Sequence, residues 1–278
     1  MSTSRAALPL GDVPGSAAGA AFDRIAVDYD RVFTDSLIGR AQREAVWKVL
    51  LSTFHRNDKV LELNCGTGED ALFLAGNGIS VFACDASREM IARAEQRLRH
   101  EPQQSSVVFR QLPTEFLGEL SGMQFDGAFS NFSGLNCTDD LGAVASSLAS
   151  LVRPNGRVVL CLSTRYSLIE IFYYLALGQW KKASRRWKGY SEAKLDGAKF
   201  TVYYPTVRQI RRYFRDDFRL YSCTGIGVAV PPSYLEMWAR KHSFLFGLLR
   251  RLEGFFSTLP IFRSTGDHVL LCFERIPR

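Results

Sequence analysis

The run Val60-Leu61-Glu62-Leu63-Asn64-Cys65-Gly66-Thr67-Gly68-Glu69-Asp70 carries an apolar stretch into two glycines and a helix-forming segment, and the next apolar run, Ser80 to Cys84, stops at Asp85. Gly66 and Gly68 let the main chain turn sharply and approach a ligand with no Cβ in the way. The amides at the start of the next helix can then face a carboxylate or phosphate. Asp85 stands about twenty residues on, at the end of the second strand, where an acid can accept both hydroxyls of a ribose. Strand, glycine turn, helix and strand-end acid together are how a parallel α/β sheet grips an adenosyl cofactor.

Two cofactor classes fit. Gly66, Gly68 and Ala71 satisfy the G-x-G-x-x-A form of the dinucleotide fingerprint, which keeps an NAD(P)-dependent oxidoreductase as an alternative. Glu62 argues against it: an acid near a pyrophosphate repels it, whereas one near the ammonium of a methionyl group does not. Asn64 occupies a place that a dinucleotide site gives to glycine, and no Tyr-x-x-x-Lys pair for hydride transfer follows.

The run resembles the first motif of class I S-adenosylmethionine-dependent methyltransferases, and the resemblance continues in the family's order. Phe22-Asp23-Arg24-Ile25-Ala26 with Tyr29-Asp30 is similar to its amino-terminal cofactor-covering segment. Val81 to Asp85 with Ser87 and Met90 resembles its second motif, and Phe125 to Asn131 its fourth strand. Leu151 to Arg157 resembles the turn before its fifth strand. Asn64 replaces the usual first glycine, a departure that asparagine's tolerance of left-handed geometry permits. The Asp-Ala pair that often reads adenine is replaced by Gln111 to Phe116, which leaves Glu115 for that contact. The resemblance implies a cofactor site built from Tyr29, Glu62, Asn64, Cys65, Gly66, Gly68, Asp70, Asp85, Ala86, Met90, Glu115 and Asn131.

The elements that must position these residues read as an α/β fold: a Rossmann-like, doubly wound, mostly parallel seven-stranded sheet with an antiparallel last strand and helical lid insertions. Asp70 to Ala75 opens a helix that Gly78 closes, Ser87 caps the next one, to about Arg99, and Asp139 or Asp140 caps a third with the stripe Leu141, Val144, Leu148 and Leu151. Residues 165–199 read as a helical, aromatic and basic insertion followed by a glycine-containing loop. Thr206 with Gln209 reads as a capping box. Phe218 to Gly225 and His268 to Glu274 read as the final antiparallel pair. Between them, Leu245, Leu248, Leu249, Leu252 and Phe256 recur at helical spacing, which predicts packing against the core or a second subunit.

Composition suits one globular domain over residues 21–278, with lid insertions near 165–199 and 228–265, behind a flexible tail over residues 1–20. Of the 278 residues, 46% are hydrophobic and 23% charged, ordinary values for a water-soluble chain. No apolar run reaches the roughly 18 to 20 residues that span a bilayer, and the Ala-, Gly- and Ser-rich start lacks a secretory core. Six scattered cysteines without a C-x-x-C pattern read as buried thiols in a reducing cytoplasm, with no metal site.

Charge is divided unevenly. Residues 1–164 hold 15 Lys or Arg against 19 Asp or Glu, whereas residues 165–278 hold 20 against 9. Lys181, Lys182, Arg185, Arg186 and Lys188, interleaved with Trp180 and Trp187, are the densest basic stretch. Beyond a solvated face, they suit an anionic substrate or carrier, or an acidic membrane surface. Nucleic acid is the poorest fit, since no RNA-binding module or base-handling loop is recognisable; an oligomer is compatible. A sulfonium supplies an activated methyl, so the protein's tasks are in-line alignment and, for a poor nucleophile, proton removal. Asn131, Arg165 and Tyr166 are the candidates for substrate contact, and Tyr166 or Glu170 for the base. The reading is a methyltransferase acting on a small, partly apolar molecule, with a non-catalytic cofactor-binding protein as a further alternative.

Overall fold

The computed structural model describes residues 16–101 and 104–277. Helices α1 (Ala17–Tyr29) and α2 (Leu37–Thr53) precede β1 (Lys59–Leu63), α3 (Glu69–Gly76), β2 (Ser80–Asp85), α4 (Arg88–Leu98) and β3 (Val107–Gln111). Then come β4 (Phe125–Ser130), α5 (Leu141–Leu151) and β5 (Val152–Ser163). The second half holds α6 (Leu168–Ala176), α7 (Trp180–Ala183), β6 (Tyr190–Leu195), β7 (Ala198–Tyr203) and α8 (Val207–Phe214). It ends with β8 (Phe218–Ile226), α9 (Glu236–Lys241), α10 (Ser243–Phe256) and β9 (His268–Arg275).

Seven strands form one sheet in the order β3-β2-β1-β4-β5-β9-β8. β1 to β5 pair in parallel, and β9, last in sequence, runs antiparallel between β5 and β8. The order reverses direction beside β1. Right-handed crossovers therefore leave a crevice at the carboxyl ends of β1 and β4.

Local chemistry explains the helix starts. The side chains of Ser36, Ser87 and Asp140 each accept a main-chain N–H in the first turn of α2, α4 and α5, and Thr206 and Gln209 form the reciprocal box of α8. The stripe Leu141, Val144, Leu148 and Leu151 is buried on one face of the sheet with Phe125, Phe214 and Phe273. Val46, Leu50 and Leu74 close the other face. Cys65, Cys84, Cys161 and Cys272 are buried free thiols.

Two expectations change. Helix α1 begins at Ala17, inside the segment read as a tail, because Ser16 caps an alanine-rich start by accepting from Gly19 N–H at 2.9 Å; residues 1–15 of that segment lie outside the described residues. The glycine-containing loop after the basic insertion is a hairpin, β6 paired antiparallel with β7. Its turn residues Asp196 and Gly197 take φ values of 41° and 83°. Phe200 of the hairpin packs on Phe22 of α1 at 5.9 Å between ring centroids, and Arg24 donates to the Asp196 carbonyl.

Candidate active site

The turn after β1 is shaped by main-chain geometry. Asn64 and Gly66 take φ values of 57° and 54°. A Cβ at Gly66 would meet only Tyr29 Cε1, at 3.8 Å, so the turn faces open space. Asp85 sits at the carboxyl end of β2 and accepts from Gly66 N–H at 2.9 Å and Ser87 N–H at 2.8 Å, one on each carboxylate oxygen. The Gly66 amide is therefore committed to Asp85, not free to face a ligand carboxylate. Burial raises the Asp85 pKa despite these bonds. Each oxygen retains a lone pair for a further donor.

Gly66 and Asp85 line a cleft of about 850 Å³, its open mouth included, together with Tyr29, Asp70, Ala86, Met90, Glu115 and Asn131. Asn64 and Cys65 also line it. Helix α1 covers one side with Ala18, Gly19 and Phe22. Gly19 permits this closeness: a Cβ there would lie 2.9 Å from the Ala86 carbonyl oxygen. Gly134 does the same opposite, where a Cβ would fall 2.2 Å from Asn64 Cβ.

A buried charge pair underlies the cleft. Arg43 on α2 meets Asp70 at 2.7 Å, and Asp70 also accepts from Trp47 Nε1 at 2.6 Å and Asn131 Nδ2 at 2.9 Å. The Arg43 guanidinium stacks over Phe132 at 4.9 Å, and its Nε has no hydrogen-bond partner among the described residues. Phe132 and Ser133 both take positive φ, 43° and 66°. A bulky residue in that region is strained, and such strain concentrates at functional sites. Tyr29 has its pKa pushed up to about 12 by burial, with Arg43 opposing and Asp85, Asp70 and Asp30 reinforcing.

Some expected residues lie elsewhere. Glu62 does not line the cleft; it is 1% exposed, its Oε2 has no hydrogen-bond partner among the described residues, and burial, reinforced by Asp70 and Asp85 and opposed by Arg43, raises its pKa well above the usual carboxylate range. Gly68 does not line it either. A Cβ there would come 2.5 Å from Phe109 Cζ, so this glycine lets the turn pack against β3. Arg165 and Tyr166 lie outside the lining, with Tyr166 exposed.

Glu170 is not free to act as a base. It is buried on α6, where it accepts from Arg185 at 2.8 and 3.0 Å and from Arg186. Arg186 continues to Asp267 at 2.9 Å. Two arginines of the dense basic stretch thus point inward as ion-pair partners. His268 closes the cluster, with Nδ1 3.6 Å from Asp267 Oδ2 and its ring edge-on to Phe132 at 5.7 Å. Burial, opposed by Asp267 and reinforced by Arg186, lowers the His268 pKa, so the imidazole is neutral near pH 7. Burial pushes the Asp267 carboxyl up, but His268 and Arg186 outweigh it and leave the pKa lowered.

Arg43, Thr67, Phe132 and Gly134 line the cleft without having been singled out from sequence. Arg43 left a signal. It falls on the inward stripe of α2 with Ile38, Val46 and Leu50, where a lone arginine needs a buried partner.

Residues 60–156 match a family model described as a methyltransferase domain. The mouse (Mus musculus) glycine N-methyltransferase is 31% identical over 133 residues, 44% of this chain and 45% of its own length. The demethylmenaquinone methyltransferase of Clavibacter sepedonicus is 26% identical over 155 residues, 55% of this chain and 60% of its own. The chain thus spans about half the length of the curated relatives it matches. Among solved structures, the cyclase SpnF superposes with a TM-score of 0.62 at 15% identity, over 98% of this chain and 99% of that one. That likeness is one of fold.

Proposed function

We propose that this chain, whose residues 60–156 match the methyltransferase-domain family model, transfers a methyl group from S-adenosylmethionine to a small, partly apolar molecule. The observation that carries the reading is the cleft at the sheet's carboxyl edge, in which an open left-handed glycine and a strand-end carboxylate stand side by side.

The residues present fit an adenosyl group. Gly66 leaves the turn open where a side chain would fill it, and Asp85 retains acceptor capacity for ribose hydroxyls. Ala86 and Met90 would flank the adenine, Glu115 would accept from its amino group, and Asn64, Cys65 and Gly66 would border the methionyl tail. The carboxyl of Glu62, whose Oε2 has no hydrogen-bond partner among the described residues, would supply negative potential for the ammonium once ionised. When bound, the cofactor supplies an electrophilic methyl on sulfur.

The chain's own work is alignment. Asp70 is held by three donors, so its Asn131 partner is oriented and Asn131 Oδ1 is drawn onto Phe132 N–H at 2.9 Å. Phe132 and Phe22 exclude water from the wall and suit an apolar acceptor. No histidine lines the cleft among the described residues, so positioning carries more of the catalysis than proton removal.

A second reading, a cofactor-binding protein that transfers no methyl, draws on the same observation, since neither Tyr166 nor Glu170 is placed as a base. Titration calorimetry with S-adenosylhomocysteine tests cofactor use. A screen of small acceptors for release of S-adenosylhomocysteine from S-adenosylmethionine then separates the two readings.

A further inference from the structure

Of the stripe expected to pack against the core or a second subunit, Leu249 and Phe256 are half-buried, while Leu245, Leu248 and Leu252 face outward. Helix α10 turns Phe246 inward to the cluster of Ile38, Ala41, Val230 and Ala239. On the same side, buried Glu253 accepts from the amides of Val228, Ala229 and Val230 at 2.7 to 3.1 Å. At about 3.6 residues per turn, Phe244, Leu245, Leu248, Leu252 and Phe255 fall on the opposite arc. All five are exposed, Phe244 to 90% and Phe255 to 65%. A helix with its acid buried and its phenylalanines in water has its apolar face covered by something else.

Charge decides what covers it. Arg251 falls at the edge of the arc beside Phe244 and Phe255, and Lys241 precedes the helix; neither has an ion-pair partner among the described residues. The flank of α10 opens onto a cleft lined by Ala45, Val49, Ile226, Lys48, Glu44 and Arg250, in which Arg250 is paired with Glu44 and Lys48 has no ion-pair partner among the described residues. A second copy would add the same uncompensated cations to the seam, since a two-fold interface repeats one patch. Residues 165–278, with 20 basic against 9 acidic side chains, worsen their repulsion. An anionic lipid surface turns the same charges into attraction. No helix among the described residues is long and apolar enough to cross a membrane, so the contact is peripheral.

We propose that α10 seats this protein on an anionic bilayer surface, with the Phe244–Phe255 stripe entering the acyl boundary and Lys48, Lys241 and Arg251 meeting the headgroups. This goes beyond the methyl-transfer reading and does not depend on it.

Co-sedimentation of the full chain with phosphatidylcholine vesicles, with and without about one-third phosphatidylglycerol, tests the assignment. Binding is expected only to the anionic vesicles, and weaker at high salt. Phe244→Ser combined with Phe255→Ser lowers partitioning by at least about tenfold, because two aromatic side chains no longer leave water. Lys241→Glu with Arg251→Glu lowers it several-fold and keeps the test open should the serine pair disturb folding. Near-ultraviolet circular dichroism verifies folding of both variants. A wild-type chain that stays in solution, whether as a monomer or as a dimer that the phenylalanine substitutions dissociate, overturns the assignment. So does vesicle binding that neither pair of substitutions alters.

Discussion

Asp85 is the side chain on which the cofactor reading turns, because one carboxylate holds the glycine turn through Gly66 N–H and the start of α4 through Ser87 N–H. Asp85→Ala is expected to weaken S-adenosylhomocysteine binding by about 1.5 to 3 kcal/mol, through loss of charge-assisted hydrogen bonds. Calorimetry on a folded variant measures this, and unchanged affinity would place the ribose elsewhere. Glu62 makes a pH prediction. Its pKa is raised in the free protein, and an ammonium bound nearby favours the ionised form, so binding releases a proton. Affinity should therefore rise with pH across the range in which Glu62 ionises, for as long as the ligand amine keeps its charge. Glu62→Gln should flatten the rise, and calorimetry in buffers of differing ionisation enthalpy counts the protons released.

At the scale of elements, two glycines decide whether α1 and the β1 turn close on the cleft. Gly66→Val introduces a β-branched residue at φ 54° and is expected to abolish cofactor binding with the fold retained. Gly19→Val should weaken the same binding more mildly, since its side chain pushes α1 off the Ala86 carbonyl. Normal affinity in the Gly19 variant would show that α1 does not cover the bound cofactor. The turn and the capped helices were legible because left-handed angles and end-capping select few residue types, as Asn64, Gly66, Ser87 and Thr206 show. The hairpin β6–β7 was legible in principle, since Glu192 to Leu195 and Ala198 to Val202 alternate polar and apolar residues about Asp196-Gly197, a turn pair that hairpins favour; attention to the glycine alone gives only a loop. The direction of α10 was not legible: periodicity marks a stripe but not the side that it faces. The inward direction of Arg185 and Arg186 depends on Glu170 and Asp267, up to 81 residues away in sequence. Arg186→Leu leaves both acids short of a buried partner and is expected to cost about 3 to 5 kcal/mol of stability. Arg185→Leu should cost clearly less, since that side chain is 42% exposed, and denaturant unfolding compares the two.

Across the whole molecule, strand order and crevice follow from the alternation of short apolar runs with helices, which is why the sheet could be read from sequence. The Arg43–Asp70–Asn131 centre could be read only in part. Asp70 and Asn131 fall in recognisable motifs, whereas Arg43 reaches them from α2 across the fold. The Gly66–Asp85 geometry fits an adenosyl sulfonium or its demethylated product better than a dinucleotide, whose pyrophosphate would meet the acids Asp70 and Asp85 of the cleft lining. Direct competition by titration calorimetry tests this most plainly, with S-adenosylhomocysteine and NAD offered separately to the wild-type chain and to Asp85→Ala. Saturable binding of S-adenosylhomocysteine that Asp85→Ala weakens, with no measurable heat from NAD, is the predicted result; tighter binding of NAD would contradict it.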